Sequence, residues 1–288
     1  MRVLTEFDLD DTGKIDLTTI YDRPDPRPYF QTLKKLEYRI PAAAEPVFRR
    51  VVAAIRAARA PRHLTVLDVG SSYGVNAAIL KHDCELADMF ARYTYTVGGT
   101  ADLSRGELIA RDRVLYRAGD PDLTVIGLDT SAPAIAYATE AGIMDDGVVA
   151  DLETRAPNER EAALMAGVDL VISTGAIGYV GTPTFSRILD AARRPPWLAL
   201  FALRMFPIDD LAAMLARRGY AVFTQQGQSY RQRRFASADE RQSVLANLDD
   251  LGIDPGGHES EGWYHAGFFF ARPAAEDVPP PVRDLVAI

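Results

Sequence analysis

The stretch Thr65-Val66-Leu67-Asp68-Val69-Gly70-Ser71-Ser72-Tyr73-Gly74-Val75-Asn76 decides the fold of this 288-residue chain. A short apolar run reaches an acidic residue, Asp68, two glycines follow, and an alanine-rich segment begins at about Asn76. This order predicts a strand, a tight turn and the start of a helix. Gly70 allows the sharp turn, and Gly74 lets the backbone come close to a ligand or to the next element. Because the amides at a helix start form a partly positive site, the stretch predicts a nucleotide-like ligand.

The spacing of small residues in this turn indicates which kind of nucleotide-like ligand it binds. A dinucleotide fingerprint reads Gly-x-Gly-x-x-Gly, and a P-loop ends in Gly-Lys-Ser/Thr. Here Ser72 occupies the middle glycine position and no lysine follows Gly74, so the pattern is Asp-x-Gly-x-Ser-x-Gly. It resembles motif I of the class I S-adenosylmethionine-dependent methyltransferases, usually Asp/Glu-x-Gly-x-Gly-x-Gly. The serine departs from that consensus but keeps a small residue.

The remaining apolar runs follow the order of strands in that family. After the motif stretch, strands are predicted at 124–129, 148–152, 168–175, 197–206, 220–226 and 263–272. The resemblance therefore implies an α/β fold over residues 63–273, with a Rossmann-like seven-stranded, mostly parallel sheet and helices on both faces. It also implies S-adenosylmethionine as cofactor and a transferase activity.

Acidic residues at the strand ends are the expected ligands of the donor. In the family, the acid corresponding to Asp129 holds the two ribose hydroxyls, and the one corresponding to Asp151 takes the adenine amino group. Asp68 either stabilises the ammonium end of the methionine moiety or caps the turn. The complete set expected at the donor is Asp68, Gly70, Ser71, Ser72, Gly74, Asn76, Asp129, Thr130, Asp151, Leu152, Thr174 and Gly175.

Segments outside the predicted core are expected to cover the substrate. Residues 1–62 form an N-terminal lid or helical extension, in which the alternating prolines of 22–28 predict an extended chain. The interval between Asp68 and Asp129 exceeds the roughly 30 residues of one crossover, which predicts an insertion at about 87–120. Residues 274–288 are predicted to form an irregular tail.

Aromatic residues are the candidate contacts of the acceptor. Tyr29, Phe30 and Tyr38 either bind substrate or anchor the N-terminal segment on the domain surface. Tyr21 and Tyr179 are the candidate positioning residues at the catalytic centre. The alternative for Tyr21 is the same anchoring of the N-terminal segment, and that for Tyr179 is ordinary packing.

Charged and metal-binding candidates complete the predicted site. Arg204 either pairs with a substrate carboxylate or extends from a strand end to water. No histidine lies in a recognisable catalytic dyad. Ser173 and Thr174 stand where metal-dependent family members usually place an acid, so no metal is predicted.

The composition of the chain limits the classes of partner and the cellular compartment that can be expected. The net charge of −8 disfavours a nucleic-acid partner, and the basic cluster Arg231, Arg233 and Arg234 is interpreted as a solvated strand end. Cys84 is the sole cysteine, which excludes a disulfide framework. An acidic N-terminus and the lack of a long apolar run predict a cytoplasmic protein without membrane contact. Monomer and homodimer both remain open.

The leading functional hypothesis is an S-adenosylmethionine-dependent methyltransferase that acts on a small-molecule acceptor in specialised metabolism. A second hypothesis is an enzyme that uses the same donor but in which the aminobutyl carbon is attacked and methylthioadenosine is released, as in azetidine-2-carboxylate synthase-like cyclases. A non-enzymatic S-adenosylmethionine-binding protein is the third. Fold alone does not choose among them.

Overall fold

The computed structural model describes residues 9–60, 63–94, 100–225, 227–277, 282 and 285. Its strands are β1 (Leu64–Val69), β2 (Leu123–Asp129), β3 (Asp146–Val149), β4 (Leu170–Ser173), β5 (Trp197–Leu203), β6 (Tyr220–Thr224), β7 (Tyr230–Arg234) and β8 (Trp263–Pro273). Its α-helices are α1 (Thr18–Tyr21), α2 (Arg27–Lys35), α3 (Ile40–Arg59), α4 (Val75–His82), α5 (Leu86–Thr94), α6 (Arg105–Leu115), α7 (Ala132–Glu140), α8 (Glu159–Met165), α9 (Thr182–Ala191), α10 (Asp209–Arg217) and α11 (Ala238–Asp250).

The strands form one sheet in the order β3-β2-β1-β4-β5-β8-β6, and β7 also pairs with β8. Strands β1 to β5 run parallel, whereas β8 is antiparallel to β5, β6 and β7. The order 3-2-1-4-5 is that of a doubly wound sheet, whose switch point lies between β1 and β4. The predicted Rossmann-like fold is confirmed, with one correction: the described sheet has eight strands, because 230–234 pairs with β8.

Both faces of the sheet are buried, which explains the near-continuous apolar runs of the strands. Along β1, Val66 packs into one hydrophobic cluster and Leu67 into the other. In β4, Ile172 packs into the same cluster as Val66, and Val171 packs into the same cluster as Leu67. Helices α3, α4 and α7 cover the first face, and α8, α9 and α10 cover the second. Helices on both faces therefore hold the carboxyl ends of the parallel strands in a fixed array.

The proline-rich segment departs from the predicted extended chain. Pro26 has helical dihedral angles (φ −79°, ψ −2°) as the residue that precedes α2, and Pro28 lies in the first turn of that helix. Proline is tolerated there because the first amides of a helix have no intrahelical partner. The prediction of an extended conformation for 22–28 is therefore wrong at its carboxyl end.

The predicted insertion at 87–120 contributes α5 and α6 in its described part. The hydroxyls of Tyr93 and Tyr137 each donate to the buried Asp112 at 2.6 Å, which ties α5 and α7 to α6. Residues 95–99 of this insertion and most of the predicted tail after 277 lie outside the described residues. In the described part of the chain, no helix combines the length and apolarity needed to cross a bilayer.

Candidate functional site

A cavity of about 680 Å³ opens at the carboxyl ends of β1 to β4, at the switch point of the sheet. The turn after β1, the ends of β2 and β3 and the loop after β4 form one part of its wall, and the N-terminal segment and β7 form the rest. Predicted site residues that line it are Gly70, Ser72, Asp129, Thr130, Asp151, Leu152, Thr174, Gly175, Tyr21, Tyr29, Tyr38 and Tyr179.

The turn after β1 has left-handed backbone at three small residues. Gly70 has φ +73°, and a Cβ there would lie 2.5 Å from Cβ of Ala176 in the loop after β4. Gly74 has φ +79°, and a Cβ there would lie 2.7 Å from Ile143. Gly74 thus permits close packing against the loop between α7 and β3, and it does not line the cavity. Ser72 adopts φ +48°, a conformation that is uncommon for residues with a Cβ.

Ser72 gives a test of strain in this turn. Ser72→Gly and Ser72→Ala both remove the hydroxyl, but only alanine keeps the Cβ that is disfavoured at positive φ. We expect the glycine variant to be more stable than the alanine variant by about 1 kcal/mol. Urea unfolding of both variants measures the difference. Equal stabilities would show that the turn carries no such strain.

Asp129 joins the turn after β1 to the start of α7. One of its carboxylate oxygens accepts the Ser72 amide at 2.8 Å, and the other accepts the Ser131 amide at 2.9 Å. Burial raises the pKa of Asp129, and these amide hydrogen bonds act in the opposite direction. The Thr130 amide also acts on this carboxylate. Because a carboxylate has about four acceptor positions and Asp129 lines the cavity, it keeps acceptor capacity for a ligand there.

Asp68 lies behind the cavity wall and is fully buried. One carboxylate oxygen accepts Nδ2 of Asn76 at 3.0 Å, and the same amide group donates to Oγ1 of Thr174 at 3.1 Å. The other oxygen has no partner. Asp68 and Asn76 therefore lie behind the wall that Thr174 lines. Ser71 and Gly74 do not line the cavity either, and contact of these four residues with the donor stays a prediction.

The pKa of Asp68 makes stability depend on pH. Burial raises this pKa from 3.8 to about 7, although the Asn76 hydrogen bond lowers it. The folded protein keeps the proton to higher pH than the unfolded chain does, so the Asp68 contribution to stability is largest below about pH 4 and is lost as pH rises to about 7.

Asp68→Asn is expected to remove this dependence, since asparagine does not ionise. The variant should gain stability relative to wild type by up to about 1.4 kcal/mol per pH unit between these limits. Free energies of unfolding in urea at four pH values from 4.5 to 7.5 measure it. A difference that stays constant with pH would contradict the assignment.

Tyrosine rings form the wall opposite the sheet edge. Tyr29 is buried, with its ring 5.5 Å from those of both Tyr21 and Tyr73. Burial raises the pKa of Tyr21 to about 12, so its hydroxyl stays protonated at neutral pH. The Tyr179 hydroxyl donates to Asp10 at 2.7 Å, while the residue as a whole is 48% exposed. These rings give the cavity an aromatic side.

Two predicted substrate residues lie elsewhere. Phe30 stacks on Tyr93 with centroids 4.7 Å apart, because it faces α5 while the adjacent Tyr29 faces the cavity. Arg204 pairs with the buried Glu259 at 2.6 Å and donates to the Asp254 carbonyl at 2.7 Å. Neither residue lines the cavity, so the structure does not bring Phe30 and Arg204 together with the other predicted substrate residues.

Four residues that line the cavity were not predicted as site residues: Asp10, Lys14, Gln232 and Arg233. Arg233 is only 3% exposed and pairs with Glu240 at 2.7 Å, so its interpretation as part of a solvated strand end is wrong. The sequence of β7, Tyr-Arg-Gln-Arg-Arg, has no apolar alternation that would mark a strand. The turn that carries Lys14 likewise lacks a motif.

Among the described residues, no group of three or more histidines, cysteines and acids is placed to hold a metal ion.

Comparisons with known proteins give distant structural likenesses. No protein-family model and no curated protein sequence matches this chain. A Haemonchus contortus N-methyltransferase in complex with phosphomonomethylethanolamine and S-adenosylhomocysteine is 12% identical, with a TM-score of 0.38 over 77% of this chain and 52% of that one. This chain thus spans about half the length of that protein.

Two further solved structures are also distantly similar. The CurJ carbon methyltransferase is 11% identical, with a TM-score of 0.49 over 91% of this chain and 62% of that one. The magnesium protoporphyrin IX methyltransferase of Synechocystis PCC 6803, with S-adenosylmethionine bound, is 15% identical, with a TM-score of 0.38 over 80% of each chain. Such values transfer no activity or substrate to this chain.

Proposed function

We propose that this protein transfers the methyl group of S-adenosylmethionine to a small-molecule acceptor. The observation that carries the proposal is the position of Asp129, whose carboxylate is fixed by the amides of Ser72 and Ser131 beside the glycine turn at the switch point. A fixed carboxylate with spare acceptor positions is suited to two neighbouring hydroxyls, such as those of a ribose.

The residues around Asp129 fit the rest of the donor. The Ser72 hydroxyl is buried without a partner in the cavity wall, which leaves it available to a polar ligand group. Asp151 is exposed at the end of β3, where it would hold the adenine amino group beside Leu152, while Thr130, Thr174 and Gly175 complete the wall. When bound, S-adenosylmethionine supplies an electrophilic methyl group on a positively charged sulfur.

The aromatic side of the cavity suits a small acceptor. Tyr29 and Tyr38 line it as substrate contacts, and Tyr21 and Tyr179 position the acceptor. The N-terminal segment that carries three of these tyrosines acts as the cover of the site, so it excludes water and orients the acceptor. A cavity of about 680 Å³ lies within the usual range of about 300–1,000 Å³ for sites of drug-sized ligands.

Mass spectrometry of the products tests this proposal. The protein is incubated with S-adenosylmethionine and a bacterial metabolite extract as the source of acceptors, with Asp129→Ala as the control. S-adenosylhomocysteine that accumulates only with wild type supports methyl transfer. Methylthioadenosine formed from S-adenosylmethionine alone would instead support the cyclase, and no product of either kind would favour a binding protein.

A further inference from the structure

Lys14 is a buried lysine in the wall of the cavity. Its residue is 7% exposed, and no carboxylate among the described residues forms an ion pair with its ammonium group. Its Nζ lies 4.6 Å from the centroid of the Tyr179 ring and 5.9 Å from those of Phe206 and Tyr264. Lysine is almost never fully buried unless it is paired, so this position calls for a ligand or a function.

The charged groups around Lys14 are already engaged with other partners. Glu240 on α11 binds the Arg233 guanidinium through both oxygens and also accepts the amide of Ile15 at 2.8 Å. Asp10 accepts the hydroxyls of Tyr179 and Thr12. Burial and the nearby Arg233 charge lower the pKa of Lys14 to about 7, against the raising effects of Asp10 and Glu240. A large share of Lys14 is therefore a neutral amine at physiological pH.

The sheet order places Lys14 away from the proposed donor acids. Lys14 contacts residues of the loop after β4 and of β8, namely Tyr179 and Tyr264. Asp129 is the last residue of β2 and Asp151 follows β3, and both strands lie on the other side of β1. The amine is thus on the part of the cavity that the proposed function leaves for the acceptor.

We propose that Lys14 is the general base that takes the proton of the acceptor, and that the acceptor reacts through an N–H or O–H group. This inference rests on the proposed methyl transfer. The acceptor lone pair forms the new bond to the methyl carbon, the carbon–sulfur bond breaks and its electron pair stays on sulfur. The acceptor proton moves to Nζ of Lys14, which becomes an ammonium ion and later releases the proton to water.

Titration of the lysines tests the state of the amine without any acceptor. The chain has only four lysines, Lys14, Lys34, Lys35 and Lys81. In protein labelled with ¹³C-lysine, one Cε signal is expected to titrate near pH 7 and to be missing in Lys14→Met, while Lys34→Met keeps it. Four signals that all titrate near 10.5, or a low-pH signal that persists in Lys14→Met, would overturn the proposal.

Saturation with S-adenosylhomocysteine separates this proposal from the proposed function. Lys14→Met is expected to bind it as wild type does, and Lys14 in the complex should still react with an amine-specific acylating reagent at pH 7.5. Protection of Lys14 by S-adenosylhomocysteine would place it at the donor and overturn its role as base. Failure of wild type to bind S-adenosylhomocysteine would refute the donor site, while the titration result would stand.

Turnover with acceptors of known chemistry provides the functional readout. In a mixture of small phenols, primary amines and carboxylic acids, Lys14→Met is expected to slow methyl transfer to phenols or amines by about 100-fold or more. Lys14→Arg, which keeps a charge but cannot accept a proton, should fail equally. Methyl transfer that is confined to carboxylic acids, or that is unchanged in both variants, would overturn the proposal.

Discussion

Replacing Asp129 by alanine is expected to weaken the binding of S-adenosylhomocysteine by about 100-fold or more. Hydrogen bonds to a charged group contribute about 1.5–3 kcal/mol each, and two ribose hydroxyls would lose their acceptor together. The substitution also removes the partner of the Ser72 and Ser131 amides, which hold the turn beside the donor. Both effects act against binding.

Isothermal titration calorimetry measures this loss, with thermal unfolding to confirm that the variants are folded. Asp129→Asn keeps the volume of the side chain but not the charge, and it is expected to bind weakly as well. Asp122→Ala is the matched control, because this exposed acid precedes the opposite end of the same strand. An affinity of Asp129→Ala within threefold of wild type would remove Asp129 from the donor site.

Gly70→Ala is expected to destabilise the fold by about 2–5 kcal/mol. A residue with a Cβ in the left-handed region costs about 1–2 kcal/mol, and overpacking adds about 1–3 kcal/mol. Both apply here, since Gly70 has φ +73° and its added Cβ would lie 2.5 Å from Cβ of Ala176. The displaced loop after β4 would also disturb the cavity.

Two further variants separate these causes in urea unfolding. Gly142 has φ +75° but no atom within 4 Å of an added Cβ, so Gly142→Ala should show only the backbone cost. Adding Ala176→Gly to Gly70→Ala removes the nearest colliding atom and should restore the packing part of the loss. Equal costs for Gly70→Ala and Gly142→Ala would contradict the close approach between the two loops.

The parts of the site that the sequence predicts are those marked by local pattern. Buried parallel strands give continuous apolar runs, and the acids Asp129 and Asp151 follow two of them. The turn after β1 is equally local, because its small residues are required by backbone geometry at Gly70. The fold and the position of the cavity follow from these features together with the order of the strands.

The remaining site depends on tertiary contacts that leave no local pattern. Tyr29 and Phe30 are adjacent and both aromatic, yet helix geometry turns only Tyr29 toward the cavity. Arg233 and Glu240 are buried because each neutralises the other. The sequence alone does not show this pairing, and charged residues without a known partner are expected at the surface. Lys14 reaches the cavity because its turn packs beside that pair through the Ile15 amide.

A crystal structure of the protein grown with S-adenosylhomocysteine would show directly where the donor binds. We expect ligand density in the cavity at the switch point, with the ribose hydroxyls on the Asp129 carboxylate and the Lys14 side of the cavity left open for an acceptor. Density for the ligand at another site, or a ribose bound away from Asp129, would contradict it.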